Sequence, residues 1–281
     1  MQTLRIGGVP EHFNYPWHYA IEEGLFFDAD ISVQWTDYPG GTGSMVTDLR
    51  EGKLDMALLL TEGAVNAISS GLNAKVLQFY VQSPLVWGIH TKAGEALKME
   101  DLKGKRYAIS RKGSGSHLMA IVDAEKREWD SSKLNFVEVG SLGGAIEAIT
   151  EGTADVFLWE KFTTKPYVDK GIFQLVDERP TPWPAFTLVV RKEIMINRPK
   201  TIELLQKTII QSIKTVQKKK DLAEILSNRY HIASEDIQKW LKITKWGTQN
   251  SVKYASLKSV AQTLYDLKLI QHIPTEQDLF S

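Results

Sequence analysis

The sequence contains no cysteine. Disulfides, thiol nucleophiles and thiolate metal sites are excluded with it. Nor is there an excess of charge: 34 lysines and arginines balance 34 aspartates and glutamates. A neutral chain exerts no long-range pull on nucleic acid or on an anionic membrane. The one basic cluster, KTVQKKKD from Lys214 to Asp221, reads as a solvated helix face. No apolar run reaches the length of a membrane span. Neither nucleic-acid binding nor membrane insertion is therefore expected. The opening residues, MQTLRIGGVP, run straight into an alternating strand, without the basic start, apolar core and small-residue cleavage site of a signal peptide. On that ground a cytoplasmic location is expected, with a periplasmic one after removal of a leader as the alternative.

Several chemical signatures are also missing. The six histidines, His12, His18, His90, His117, His231 and His272, match no zinc spacing. The loops GGTGS and KGSGS are not followed by Gly-Lys-Ser/Thr, and GSGSHL lacks the third glycine of a dinucleotide fingerprint. There is no Gly-x-Ser-x-Gly elbow, and Ser116 directly before His117 cannot form a triad by adjacency. No metal, cofactor or catalytic residue is expected.

What the chain does contain is an alternation of strand and helix patterns. TLRIGGV reads as a strand and YPWHYAIEEGLF as a helix, with Pro16 in its first turn and Gly24 near its end. ISVQWTDY follows as a strand, GSMVTDLREG as a short helix, DMALLL as a strand buried on both faces, AVNAISSG as a helix and AKVLQFYV as a strand. The grammar then restarts with KRYAIS as a strand and SHLMAIVDAEKREW as a helix, Leu118, Ile121 and Val122 inward and Asp123, Glu125, Lys126 and Glu128 outward. LREGKLDMALL from Leu49 matches ITEGTADVFLW from Ile149, pairing Gly52 with Gly152 and Asp55 with Asp155. Two similar α/β lobes are implied. From Pro199 the pattern is almost wholly helical, with Ser234 as an N-cap. Two long apolar segments, Phe79–Thr91 and Trp183–Glu193, read as crossovers between lobes.

The order of YAIEEGLFFDADISVQW, GGTGSMVTDLREGKLDMALLL, KGKRYAISRKGSGSHLMAIV and GGAIEAITEGTADVFLW resembles the type II periplasmic-binding-protein fold. More narrowly it resembles the nitrate/sulfonate/taurine and thiamine-pyrimidine-precursor group, and a leaderless branch found in fungi and bacteria. The resemblance implies an α/β Venus-flytrap with two crossing hinge strands and a helical C-terminal region that returns to the first lobe. That places residues 1–83 plus 185–281 in one lobe and 84–184 in the other. It implies a solute- or metabolite-binding protein closing on a polar or anionic, heteroaromatic-compatible ligand. The alternatives are an enzyme on the same fold acting on a pyrimidine or menaquinone-pathway intermediate, and the binding component of an ABC transporter, with a permease as partner if the chain is exported. Fungal thiamine-pyrimidine synthases of this fold carry a cysteine-rich run near the cleft, and this chain has no cysteine.

Ligands of such lobes sit at the C-terminal ends of strands, where helix N-termini also point. That rule selects EHFNYPWHY, PGGTGS, TEG, SRKGSGSH and EKFTT. Gly41, Thr42, Gly43 and Ser44, and across the cleft Ser110, Ser114, Gly115 and Ser116, suit a carboxylate, sulfonate, phosphate or neutral acceptor; helix capping alone wants the same residues. Thr61, Glu62 and Glu160 follow buried strands, and the two carboxylates suit an amine or aminopyrimidine. His12, Asn14, Ser83 and His117 add polar groups. Phe13, Trp17, Trp159 and Trp183 offer faces for a flat ligand, with Tyr15 and Trp87 nearby.

Overall fold

The computed structural model describes residues 2–249 and 252–280; Met1, Asn250, Ser251 and Ser281, all in the expected first lobe, lie outside the described residues. The first half runs β1 (Gln2–Gly8), α1 (Tyr15–Glu22), α2 (Leu25–Asp28), β2 (Ile31–Asp37), α3 (Thr42–Arg50), β3 (Met56–Leu60) and α4 (Thr61–Ser69). Strand β4 (Ala74–Lys92) then leaves it. The second half repeats the order with β5 (Arg106–Ile109), α5 (Gly115–Lys126), β6 (Asn135–Glu138), α6 (Leu142–Glu151), β7 (Val156–Glu160) and α7 (Lys161–Asp169). Strand β8 (Phe173–Arg191) returns, and α8 (Lys192–Asn197), α9 (Pro199–Val216), α10 (Leu222–Tyr230), α11 (Ser234–Ile243), α12 (Tyr254–Asp266) and α13 (Glu276–Leu279) follow.

The strands form one eight-stranded sheet in the order β2-β1-β3-β8-β4-β7-β5-β6. Its two ends are equivalent. In one, β1 pairs in parallel with β2 and β3, and β3 meets the end of β8 antiparallel. In the other, β5 pairs in parallel with β6 and β7, and β7 meets the end of β4 antiparallel. The two long strands pair with each other along their whole length, and their register slips repeatedly between Val76 and Val86, with Pro84 opposite Pro184. Proline cannot donate to a ladder, so the pairing is interrupted where the strands cross from one half to the other.

Burial explains the strand patterns. All of β3, MALLL, is buried, as a strand covered on both faces requires. The matched Asp55 and Asp155 hold equivalent arginines. Asp55 accepts from Arg5 N, Nε and Nη2 at 2.9, 3.0 and 2.6 Å. Asp155 accepts from the same atoms of Arg106 at 2.8, 3.0 and 2.7 Å. Each clamp ties the start of a buried strand to its parallel neighbour.

The C-terminal helices pack chiefly on the first half: α9 on α1 and α2, and α12 and α13 on α4. The segment before α12 braces the crossover, since Gln82 N donates to Lys245 O at 2.7 Å and Gly247 N to Tyr80 O at 2.8 Å. The KTVQKKKD cluster ends α9 with exposed lysines, and Lys219 Nζ lies 4.8 Å from the Tyr19 ring centre.

Some local expectations are corrected. The helix expected through Phe26 breaks at Gly24, whose φ of +69° ends α1 and starts α2. Helix α4 opens at Thr61, not at Ala64, so Thr61 and Glu62 are helical. Strand β8 begins ten residues before Trp183, at Phe173. Asp123 faces inward, 2% exposed, because Arg127 Nε and Arg179 Nε reach its carboxylate at 2.8 and 2.5 Å. The N-cap of α11 is Ala233 without a side-chain bond, and Ser234 is the first helical residue.

Candidate functional site

The two halves face each other across a cavity of about 50 Å³ at the C-terminal ends of their strands. From the first half it is lined by Val9, Glu11, Gly40, Gly41, Thr42, Leu60 and Phe186. Leu85, Trp87, Ser110, Arg111, Ser114, Gly115, Ser116, Trp159 and Glu160 line it from the other. Helices α3 and α5 both start at its wall, so unbonded N–H groups and the positive ends of two dipoles converge there.

The serines of SRKGSGSH build this loop as much as they face the ligand space. Ser114 caps α5, its Oγ accepting from His117 N at 3.4 Å and meeting Ser116 Oγ at 3.1 Å. Ser116 Oγ accepts from Ser110 N at 3.0 Å. The Ser114 amide donates to Arg111 O at 3.1 Å, so the free donors of the turn are the amides of Gly115 and Ser116 at the first helical positions. Gly115 is needed for space: an added Cβ would lie 2.4 Å from Leu60 Cδ1 and 2.9 Å from Trp87 Cη2. Across the cavity, Gly41 caps α3 with φ +69°, and Thr42 Oγ1 accepts from Leu60 N at 3.1 Å, joining the starts of α3 and α4.

Arg111 joins the two halves. Its Nη1 donates to Gly40 O at 2.9 Å. Its guanidinium lies so close over Gly43 that a Cβ there would fall 1.8 Å from Nη2. Among the described residues no carboxylate lies within ion-pair distance of it. Burial lowers its pKa, and Glu138 opposes that.

The carboxyls lie elsewhere on the wall. Glu160 caps α7, its Oε2 accepting from Thr163 N at 2.6 Å and Thr163 Oγ1 at 2.9 Å. Burial pushes its pKa up to about 7. Burial, with repulsion from Glu160, pushes Glu11 up to about 8. His12 Nε2 stands 4.0 Å from Glu160 Oε2, but burial pulls the imidazole down to about 3, so at neutral pH it brings no charge. The indole N–H groups of Trp87 and Trp159 are buried without hydrogen-bond acceptors. The two rings meet edge to face, 6.5 Å apart.

Eight expected residues thus line the cavity: Gly41, Thr42, Ser110, Ser114, Gly115, Ser116, Trp159 and Glu160. The others sit outside it. Trp17 is fully buried against Phe26, Trp35 and Tyr80. Phe13 packs on Phe186 and Trp240, and its carbonyl accepts from Tyr80 Oη and Trp246 Nε1. Asn14 Nδ2 donates to Val9 O at 2.7 Å, while His12 backs Glu160 from behind. Ser44 Oγ abuts Gly40, and Gly43 lies beneath Arg111. Glu62 faces inward, its Oε2 accepting from Trp183 Nε1 at 2.7 Å, while its Oε1 is buried without a hydrogen-bond partner among the described residues. Thr61 is buried in the first turn of α4, and Ser83 accepts from Lys245 N at the crossover. His117 Nδ1 accepts from Gly113 N and its ring edge meets Phe136. Trp87, expected only as a nearby aromatic, also lines the cavity, and so do Glu11, Leu60, Arg111 and Phe186, which the sequence pattern does not single out. Arg111 lies within SRKGSGSH, beside the glycines and serines that mark the helix start.

No curated protein matches the sequence. Residues 87–178 match the model of the Ca3427-like PBP family. Among solved structures, the CA3427 gene product of Candida albicans, described as having the generic periplasmic-binding-protein fold, is 24% identical over 99% of this chain and 93% of its own, with a TM-score of 0.89. The alkanesulfonate-binding protein SsuA of Xanthomonas axonopodis pv. citri, bound to MOPS, is 16% identical over 99% and 98%, with a TM-score of 0.84. A ligand-binding component of an ABC-type import system from Staphylococcus aureus is 13% identical over 100% and 97%, with a TM-score of 0.80. The chain has the two-lobed type II periplasmic-binding-protein fold, and over residues 87–178 it matches the Ca3427-like PBP family.

Proposed function

We propose that the protein binds a small polar or anionic solute or metabolite and closes its two lobes on it, without chemical turnover. The lobes are taken as residues 1–83 plus 185–281 and residues 84–184, hinged where Pro84 faces Pro184. One observation carries the reading: Arg111, which has no carboxylate partner among the described residues, reaches from one half to the other at a cavity where two helices begin. A guanidinium beside free helix-start amides is suited to a sulfonate, carboxylate or phosphate. Binding alone is supported because the serine hydroxyls at the cavity serve the loop and the nearest imidazole is neutral and behind the wall. The similarity to proteins described as binding components points the same way. The test is calorimetry with linear alkanesulfonates, alkylphosphonates and carboxylates on the wild type and on Arg111→Ala. Saturable binding that the variant loses supports the reading; binding indifferent to Arg111 contradicts it.

The proposal includes a cytoplasmic location. Cell fractionation tests it, and recovery with periplasmic contents would favour a binding component serving an ABC permease.

A further inference from the structure

Each half contributes a carboxyl to the seam between them. Glu11 follows β1 in the first half, and Glu160 ends β7 in the second. Both line the cavity, 9% and 4% exposed. The charge of Glu160 adds to the cost of ionising Glu11. His12 Nε2, also from the first half, stands 4.0 Å from Glu160 Oε2 and is neutral. Lys161, at the start of α7, favours the ionised Glu160, as do the amides of Phe162 and Thr163 and the Thr163 hydroxyl. It divides its charge with Glu178, its ion-pair partner. The Trp159 N–H lies near enough to Glu11 to favour its charge, yet completes no hydrogen bond. Arg111 lines the same wall, but the carboxylate that acts on it is Glu138. These aids do not offset burial, which holds Glu160 at about 7 and Glu11 at about 8.

The burial of both groups depends on the contact between halves. Each lies on a wall that one half presents to the other, so parting the halves gives both to water. There a glutamate titrates near about 4.3. We infer that Glu11 and Glu160 form a proton-operated latch: a carboxyl from each half, set together in a dry seam, holds the halves closed while protonated and drives them apart when both ionise. The inference rests on the reading of two lobes that open and close, and names what sets their balance. The closed form binds more protons than the open one from about 4.3 upward. Its advantage is fully present below that value and is lost as pH climbs through 7 to 8. The ratio of closed to open forms should fall at least about tenfold between pH 6 and pH 8.

Small-angle scattering on the protein alone, at about pH 6 and about pH 8.5, tests the latch. The radius of gyration of the wild type should rise with pH. The double variant Glu11→Gln/Glu160→Gln fixes both groups in an uncharged form and should keep the smaller radius at both. Glu11→Gln alone should remove much of the rise, and decides the matter if the double variant does not fold. Circular dichroism at each pH separates opening from unfolding. An unchanged wild-type radius, an equal rise in the variants, or a rise accompanied by lost helical signal overturns the inference. Calorimetry with an alkanesulfonate at about pH 6 judges the binding reading separately. Binding that Arg111→Ala loses, together with an unchanged radius, leaves that reading standing and overturns the latch. A rise confined to the wild type, without binding of any anion, supports the latch and contradicts the reading of the ligand.

Discussion

Glu11, Glu62 and Glu160 are buried carboxyls with pKa values raised to about 8, 7 and 7. In the unfolded chain a glutamate titrates near about 4.3. Between these values the folded state holds more protons than the unfolded one, so stability falls as pH rises. The contribution is fully present below the unfolded value and is lost as pH climbs through 7 to 8. Without ligand, the melting temperature should therefore drop from about pH 5 to about pH 8. Glu11→Gln should flatten that drop and raise the value at the alkaline end; a profile unchanged by the substitution would contradict the assignment. Arg111 acts in the other direction, on affinity. Replacing it with alanine removes a hydrogen bond to a charged group, worth about 1.5 to 3 kcal/mol, and should weaken an alkanesulfonate by roughly tenfold or more. These side chains were the least legible part of the sequence. A carboxylate that enters a helix at its N-cap, such as Glu160, and one in its first turn, such as Glu62, look alike in the chain. Two residues of offset from the preceding strand send one to the cavity and the other to Trp183.

Helix starts were more legible, because glycine and small hydroxyl residues declare them. Both GGTGS and KGSGS open helices at the cavity, as their placement after strands implied. What the pattern could not show is how far the hydroxyls are occupied by the loop itself, since Ser114 and Ser116 bond each other and the local backbone. The test at this scale is Gly115→Val. Its side chain would press on Leu60 and Trp87, which form the wall beside the α5 start. Overpacking costs about 1 to 3 kcal/mol, so the melting temperature should fall modestly. Affinity for the anionic probe should drop at least roughly tenfold, because both the amide and the space are lost. Reduced stability with unchanged affinity would make the loop a helix cap and nothing more.

The α/β repeat was the most legible feature of all. The match of Gly52 with Gly152 and Asp55 with Asp155 marked two equivalent halves, and the arginine clamps show why those aspartates recur. They differ in exposure, Asp55 at 4% and Asp155 at 22% of the side chain. Asp55→Ala should therefore destabilise by about 1 to 3 kcal/mol in urea unfolding, and Asp155→Ala by about 1 kcal/mol or less, since water can replace its bonds. Equal effects would contradict that ranking. The lengths of β4 and β8 were harder to read, because each serves both halves and changes burial midway. Such a pair of strands is suited to act as a hinge, and a ligand favours the closed arrangement only by binding it more tightly than the open one. The central claim is that the two lobes close on a small ligand at Arg111. Small-angle scattering tests it most directly, with the wild type measured free and then saturated with an alkanesulfonate that binds in calorimetry. A smaller radius of gyration on saturation, absent in Arg111→Ala, is the predicted result; an unchanged radius in a wild type shown by calorimetry to be saturated would contradict it.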